Sequence, residues 1–375
     1  MKFSVDRDVL ADAVAWTSRA VPSRPPSPVL AGVKIEAERA GMVKFASFDY
    51  EVSARAEVAA EVVAEGTTLV SGRLLKEIAN ALPSRPVEFS VEGSKVVVTC
   101  GASRFALATM PVDQYPALPE LPGQSGTVDG AALQQAVTQV TAAASRDETL
   151  PILTGVRIEI DGSNVALLAT DRYRLALRTL SWKPSASDMT AVALVRAKTL
   201  LDTARALGSG EVHVSLSTAT DVTLIGFSAG GLVSTSLLMD GEYPPVRRLF
   251  PESLAMTAIV KTSELIDATR RVSLVTERNS SVRLAFTQGE VLLDAGQTED
   301  AQASEALEAQ LEGDDITVAF NPHYLLDGLT AMTTEFVRLG FTQETKPVEF
   351  TGIDKPGGTL ASEFRYLLVP IRIAS

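Results

Sequence analysis

The chain has 375 residues, 46 % of them hydrophobic, too many for one ordinary core and enough for two or three domains. Its formal net charge of −12 excludes a simple basic-patch nucleic-acid binder, and its single cysteine, Cys100, excludes an intrachain disulfide and a cysteine-cluster metal site. No apolar run approaches the ~20 residues that span a bilayer, and Met1–Asp6 turns acidic at once, so a cytoplasmic protein without membrane association is expected.

Taken in chain order, the predicted elements recur at a spacing of about 125 residues, the mark of internal repeats. Each copy opens with a short strand and an amphipathic helix. The first runs Phe3-Ser4-Val5-Asp6 into Val9–Trp16. The second runs Gly126-Thr127-Val128-Asp129 into Leu133–Val140. The third runs Thr257-Ala258-Ile259-Val260 into Ser263–Arg270. Apolar residues at three- and four-residue steps give each helix one buried face. A strand pair follows, in which Pro28–Ile35 matches Pro151–Ile158 and Ser281–Phe286 is the third counterpart. The returning strands carry Phe48-Asp49-Tyr50 and Ala169-Thr170-Asp171-Arg172-Tyr173. A second helix comes next, over Gly72–Leu82, Lys198–Leu207 and Pro322–Leu329. Each copy closes in period-2 strands, over Val87–Met110, Glu211–Leu238 and Phe336–Ile373, the pattern of a half-buried antiparallel sheet. Cys100 falls in the first of these, and a buried strand thiol is expected.

Proline-rich joints, Tyr115–Pro122 and Tyr243–Val246, separate the copies, because proline stiffens a linker and cannot continue a ladder. The expected domains are 1–122, 123–251 and 252–375. The acidic stretch Glu299–Asp315 reads as an exposed loop or edge. The fold class is α+β, with three repeated two-layer domains. An arc of such units closes most simply by head-to-tail pairing into a six-domain ring, a homodimer. A ring can hold DNA by topology, so it needs positive charge only along its inner helices. Acid on its outside is screened beyond a Debye length of ~8 Å.

Basic residues recur in or beside those inner elements: Arg19, Arg24, Arg73 and Lys76, then Arg146, Arg196, Lys198 and Arg205, then Arg270, Arg271 and Arg278. Gly226-Phe227-Ser228-Ala229-Gly230 matches the nucleophile elbow of serine hydrolases, with His323 as a conceivable base. The elbow requires a helix directly after the serine, and Leu232–Leu237 reads as a strand. Neither His213 nor His323 has metal-ligand spacing to another candidate, so no metal and no cofactor are expected. Asp161-Gly162-Ser163-Asn164 reads as a hairpin turn.

Together with these repeats, several motifs resemble the β subunit of bacterial DNA polymerase III, the sliding-clamp family. They are Met1-Lys2-Phe3, Ser23-Arg24-Pro25 with Pro28-Val29-Leu30, Ser103-Arg104-Phe105, Ala169–Leu175, Phe320-Asn321 and Val369-Pro370-Ile371-Arg372-Ile373. Val70–Leu75 and Leu311–Ile316 are similar to actinobacterial members. The resemblance covers essentially the whole chain. It implies a non-catalytic processivity factor, a homodimer that encircles duplex DNA without sequence preference. The implied partners are the polymerase alpha subunit, an ATP-driven clamp loader and other proteins bearing a clamp-binding motif. It implies DNA-facing roles for Arg24, Arg73, Arg146, Arg196 and Lys198, and a dimer contact through Phe105 and Leu274. It also implies a partner-peptide pocket of Leu153, Thr170, Tyr173, Arg174, Leu175, Pro244, Arg248, Leu249, Asn321, Tyr324, Val369, Pro370, Ile371 and Arg372. Val369 and Ile373 stand where the family has Met and Leu, and Pro245-Val246 where it often has a polar residue and tyrosine. These departures leave open a second, inhibitor-resistant copy of the clamp, tied to antibiotic resistance, as an alternative to the housekeeping protein.

Overall fold

The computed structural model describes residues 1–217, 224–276, 280–296 and 301–372. Among them each repeat carries two helices, at its start and in its middle, as the periodicity predicts. They are α1 (Arg7–Thr17), α2 (Gly72–Ala81), α3 (Gly130–Thr141), α4 (Ala197–Leu207), α5 (Thr262–Val272) and α6 (Pro322–Thr330). Short polar side chains set two of the starts. The Asp6 carboxylate accepts from the Asp8 and Val9 N–H groups, and the Asn321 side chain from those of His323 and Tyr324. Both satisfy donors that a first helical turn leaves unpaired. Helix α1 buries Leu10, Ala13 and Val14, α2 buries Leu75, Ile78 and Ala79, and the two pack together, as do α5 and α6.

The strand pairs begin later than the sequence suggests. Pro28–Ala31 and Pro151–Thr154 are single 3-10 turns, and the ladders start at Gly32 and Gly155. Proline fixes φ for a turn and has no N–H to give a ladder. Both glycines are closely packed: a Cβ on Gly32 would lie 2.5 Å from Leu69, and one on Gly155 2.7 Å from Leu194, so those leucines would have to shift. The acidic stretch is also more ordered than a loop, for Ala303–Glu312 is a strand. Its first part pairs with Glu290–Ala295 and its last residues, Ala309–Glu312, with Met256–Lys261. Asp161 and Asn164 face each other across a two-residue turn with Gly162 at φ 55°, as expected.

The chain forms two compact units that do not follow the repeats. The first comprises Met1–Ala131, Lys183–Ala186 and Asp202–Leu238, and holds a five-stranded and a nine-stranded sheet. The second comprises Ala132–Trp182, Ser187–Leu201 and Met239–Ser375, and holds a twelve-stranded sheet. The reason lies in strand edges. Inside the first unit, Val52–Ala59 of the first repeat pairs with Leu232–Leu237 of the second, with Ser53 opposite Thr235. Inside the second unit, Arg174–Ser181 of the second repeat pairs with Leu360–Leu368 of the third, with Leu175 opposite Leu367. Each repeat thus covers an edge that would otherwise expose unpaired backbone groups.

Cys100 is buried, its Sγ 3.4 Å from the Pro83 carbonyl. Ser228 lies within the strand Leu224–Ala229, which returns through Gly230 and Gly231 to the strand Leu232–Leu237. No helix follows the serine, so there is no nucleophile elbow. Among the described residues, no three His, Cys, Asp or Glu side chains converge to hold a metal, and no helix is long and apolar enough to cross a membrane.

Candidate functional site

The second unit builds its most elaborate polar structure on one turn. Asp171 follows the strand Asn164–Thr170, and its Oδ1 accepts from the N–H groups of Tyr173 at 3.0 Å and Arg174 at 3.1 Å. This forces Arg172 into the left-handed region, at φ 82°, which costs a non-glycine residue strain. The Thr170 hydroxyl completes the turn, donating to the Arg174 carbonyl at 2.6 Å and accepting from the Arg172 N–H at 3.2 Å.

Arg174 then reaches across to α6. Its Nε donates to Asp171 Oδ2 at 2.9 Å and its Nη1 to Asp327 Oδ2 at 2.6 Å, while its guanidinium lies 4.4 Å from the centre of the Tyr324 ring. Burial disfavours this charge, but Tyr366, Asp327 and Asp171 outweigh burial and hold the Arg174 pKa above its ordinary value. Tyr173 stacks on Tyr324 with ring centres 6.0 Å apart. The Tyr366 hydroxyl donates to the Tyr324 carbonyl at 2.8 Å. Burial pushes the Tyr366 pKa up, so the hydroxyl remains a donor at neutral pH. Asp171, Tyr173, Arg174, Tyr324 and Asp327 line a cleft of about 620 Å³ together with Ser145, Arg146, Asp147 and His323.

Leu150, which lines the cleft, also packs against an apolar floor, the buried cluster that includes Leu153, Leu175, Leu367, Tyr243, Val246 and Phe250. Residues close to these in sequence form an exposed rim: Tyr173 53 %, Leu249 53 %, Val369 38 % and Ile371 39 %. The Val369 N–H donates to the Tyr173 carbonyl at 2.9 Å and the Ile371 N–H to that of Ala319 at 2.7 Å, which pins the C-terminal segment along the rim. Fourteen pocket positions were expected, and they divide by role. Leu153 and Leu175 are floor, Thr170, Arg174 and Asn321 are scaffold, and Tyr173, Tyr324, Leu249, Val369 and Ile371 are the open surface. Pro370 is buried, Pro244 half-buried, and Arg248 and Arg372 are exposed. Ile373 lies outside the described residues.

Several residues that matter here escaped the sequence reading. Asp171 and Asp327 fix Arg174, and Leu367 and Phe250 complete the floor beside Val246, which the sequence marks as a departure near the pocket. Asp171 was findable, because Asp49 occupies the same place in the first repeat.

The first repeat in fact builds the same turn. Asp49 Oδ1 accepts from the N–H groups of Glu51 at 2.9 Å and Val52 at 2.6 Å, and Tyr50 has φ 76°. The Leu237 N–H donates to the Glu51 carbonyl at 2.8 Å, as Val369 does to Tyr173. The floor differs. Where the second unit sets Leu175 against Leu367, the first sets Ser53 against Thr235, their hydroxyls 2.6 Å apart, and the Ser234 hydroxyl donates to the Ser53 carbonyl.

The remaining candidates are scattered over surfaces. Arg24 and Arg73 are exposed in the first unit, Arg73 in the first turn of α2. Arg146 is exposed and lines the cleft described above, so one expected DNA contact shares a site with Tyr173 and Tyr324. Arg196 is half-buried with its Nη1 3.6 Å from Glu148, and Lys198 is exposed in the first turn of α4. Arg278 lies outside the described residues. Phe105, 37 % exposed, sits on Ser103–Ala108, the edge strand of the five-stranded sheet. Leu274, 84 % exposed, sits on the 3-10 turn after α5.

Three family models cover the chain: the DNA polymerase III beta subunit N-terminal domain over residues 1–119, the central domain over 127–245 and the C-terminal domain over 247–359. The chain is 52 % identical over 376 residues to the beta sliding clamp of Streptomyces coelicolor, covering 100 % of both. It is 42 % identical over 372 residues to the beta sliding clamp homolog GriR of Streptomyces muensis, covering 99 % of each. The solved DNA polymerase sliding clamp of Bacillus subtilis superposes with a TM-score of 0.91 at 26 % identity, covering 100 % of both chains. The Pseudomonas aeruginosa clamp solved with griselimycin bound gives the same TM-score of 0.91, identity of 26 % and coverage of 100 %. The chain therefore belongs to the DNA polymerase III beta subunit family, the beta sliding clamps, which are non-catalytic processivity factors.

Proposed function

We propose that the exposed rim and the floor beneath it form an apolar slot that, with the flanking cleft, takes a short linear peptide from replication partners. The polymerase alpha subunit, the clamp loader and other proteins carrying a clamp-binding motif are the intended occupants. The peptide's apolar residues lie on Leu153, Leu175 and Leu367, and an aromatic residue lies beside the Tyr173–Tyr324 stack. The observation that carries this reading is the contrast between two copies of one turn. With Ser53 and Thr235 as its floor, the first copy offers no apolar seat, whereas Leu175 and Leu367 provide one in the second. Of these two copies, only the second offers such a seat. An apolar slot with a few convergent polar groups is the usual form of such a site.

Around that site, Arg24, Arg73, Arg146, Arg196 and Lys198 make sequence-independent phosphate contacts to encircled duplex DNA. Phe105 and Leu274 form the apolar centre of a head-to-tail homodimer, and the protein works in the cytoplasm. The exposed rim gives a test that spares the fold. Leu249→Ser should weaken a clamp-motif peptide by about tenfold in calorimetry, the worth of one to two lost methylenes. Unchanged affinity would remove the slot from the account.

The second reading, an inhibitor-resistant copy, is supported by two observations: the likeness to the homolog GriR and the short Val369 on the exposed rim. The higher identity to the Streptomyces coelicolor clamp places the housekeeping reading first. Titration with griselimycin separates them. Tight binding ends the resistance reading, and weak binding with normal peptide affinity establishes it.

A further inference from the structure

A second cleft in the same unit, of about 590 Å³, is lined by Arg247 and Pro251–Leu254, which follow the second joint, and by strands of the twelve-stranded sheet. Its floor is a row of residues in register on neighbouring strands: Leu177 faces Arg365, Arg365 faces Thr351, and Thr351 faces Arg338. Arg365 and Arg338 therefore stand two strands apart, about 9–10 Å between their Cα atoms, on either side of a threonine.

The two arginines are in different circumstances. Arg365 is committed: its Nε donates to Glu349 Oε1 at 2.6 Å and its Nη2 to Glu349 Oε2 at 3.2 Å, and its guanidinium packs 4.2 Å from the Phe250 ring centre. Both oxygens of Glu349, a residue 4 % exposed, are thereby engaged, and the Thr351 hydroxyl also donates to it. Arg247, on the rim, pairs with Glu159 at 2.9 Å. Arg338 is half-buried and lines the cleft, yet among the described residues its guanidinium donates to no acceptor, and its Nε is fully buried. Burial lowers its pKa, with Glu349 opposing that shift and Arg365 adding to it. The Nε is a buried donor without an acceptor, which is costly, and an acceptor brought into the cleft would relieve that cost.

We propose that this cleft is an oxyanion site, in which Arg338, with the uncommitted nitrogen of Arg365, binds a carboxylate or phosphate group over Thr351. The planar fork of a guanidinium matches both groups, and two of them flanking one threonine can bind a single anion between them. The cleft adjoins the floor of the proposed peptide slot through Leu177 and through the contact of Arg365 with Phe250, but the reading does not depend on what the slot binds. The source is either a free anion or an acidic side chain of a bound protein, and the two carry the same chemistry.

The test is thermal unfolding of the full-length protein at constant ionic strength. The titrants are inorganic phosphate, the capped tripeptide acetyl-Gly-Glu-Gly-amide, and chloride as reference. The wild type should gain about 2–4 °C, saturably, from phosphate, from the tripeptide, or from both. A response to phosphate alone identifies a free anion, and a response to the tripeptide identifies a protein carboxylate. Arg338→Met, which keeps the stem and removes the fork, should lose the gain, whereas Arg39→Gln, an equal charge change on an exposed residue, should keep it. In chloride, Arg338→Met should unfold no lower than the wild type, because an unpaired charge has been removed. A purely structural Arg338 would instead lower the midpoint. No saturable response from the wild type, or an equal response from Arg338→Met, overturns the proposal.

Discussion

Arg174 illustrates how single residues divide between holding the fold and meeting a partner. The sequence places it among pocket residues, but its side chain is only 4 % exposed and is bound to Asp171 and Asp327. Its work is to fasten the Asp171 turn to α6 and so to hold Tyr173 against Tyr324. Removing one member of a buried ion pair strands the other. Arg174→Met should therefore cost about 3 kcal/mol in denaturant unfolding, and should weaken peptide binding through the displaced Tyr173. A loss below about 1 kcal/mol, the range of exposed pairs, would contradict the buried pairing. This role was not legible in the sequence. Its carboxylate partners are 3 and 153 residues away, and no local pattern connects positions 174 and 327.

At the scale of elements, the Asp-led turn recurs in the first and second repeats with different strand neighbours. Its backbone geometry is the same in both copies, with Tyr50 at φ 76° and Arg172 at φ 82°. The geometry follows from one aspartate accepting two successive N–H groups, the habit of a short acidic side chain in turns. Replacing Arg172 with Gly should stabilise the protein by about 0.5–1 kcal/mol. Relief of the left-handed strain exceeds the extra freedom glycine brings to the unfolded chain. Destabilisation in a chemical melt would show that the Arg172 side chain holds the turn. Helices and closing strands were legible because their periods of 3.6 and 2 are written in apolar residues. The 3-10 turns at Pro28 and Pro151 were not, since proline followed by apolar residues reads equally as the start of a strand. Nor could periodicity show that Val52–Ala59 pairs with Leu232–Leu237, because pairing across repeats depends on which edges remain open.

At the scale of the whole molecule, a net charge of −12 sits beside a family role that requires DNA in a ring. The two agree if retention depends on closure and only weakly on affinity. Phosphate contacts from Arg24, Arg73, Arg146, Arg196 and Lys198 would then orient the duplex and fade with salt, while the ring would remain. The expectation that Phe105 and Leu274 meet in a dimer contact comes only from the family resemblance, because an exposed leucine on a short turn has no signature of its own. The most direct measurement is retention on DNA after loading, followed by gel filtration in high salt. Wild-type protein should stay with nicked circular DNA and leave once the circle is cut. Leu274→Asp, which buries a charge in the proposed dimer contact, should be monomeric and retained on neither. Equal loss of the wild type from circular and linear DNA would contradict a topologically held clamp.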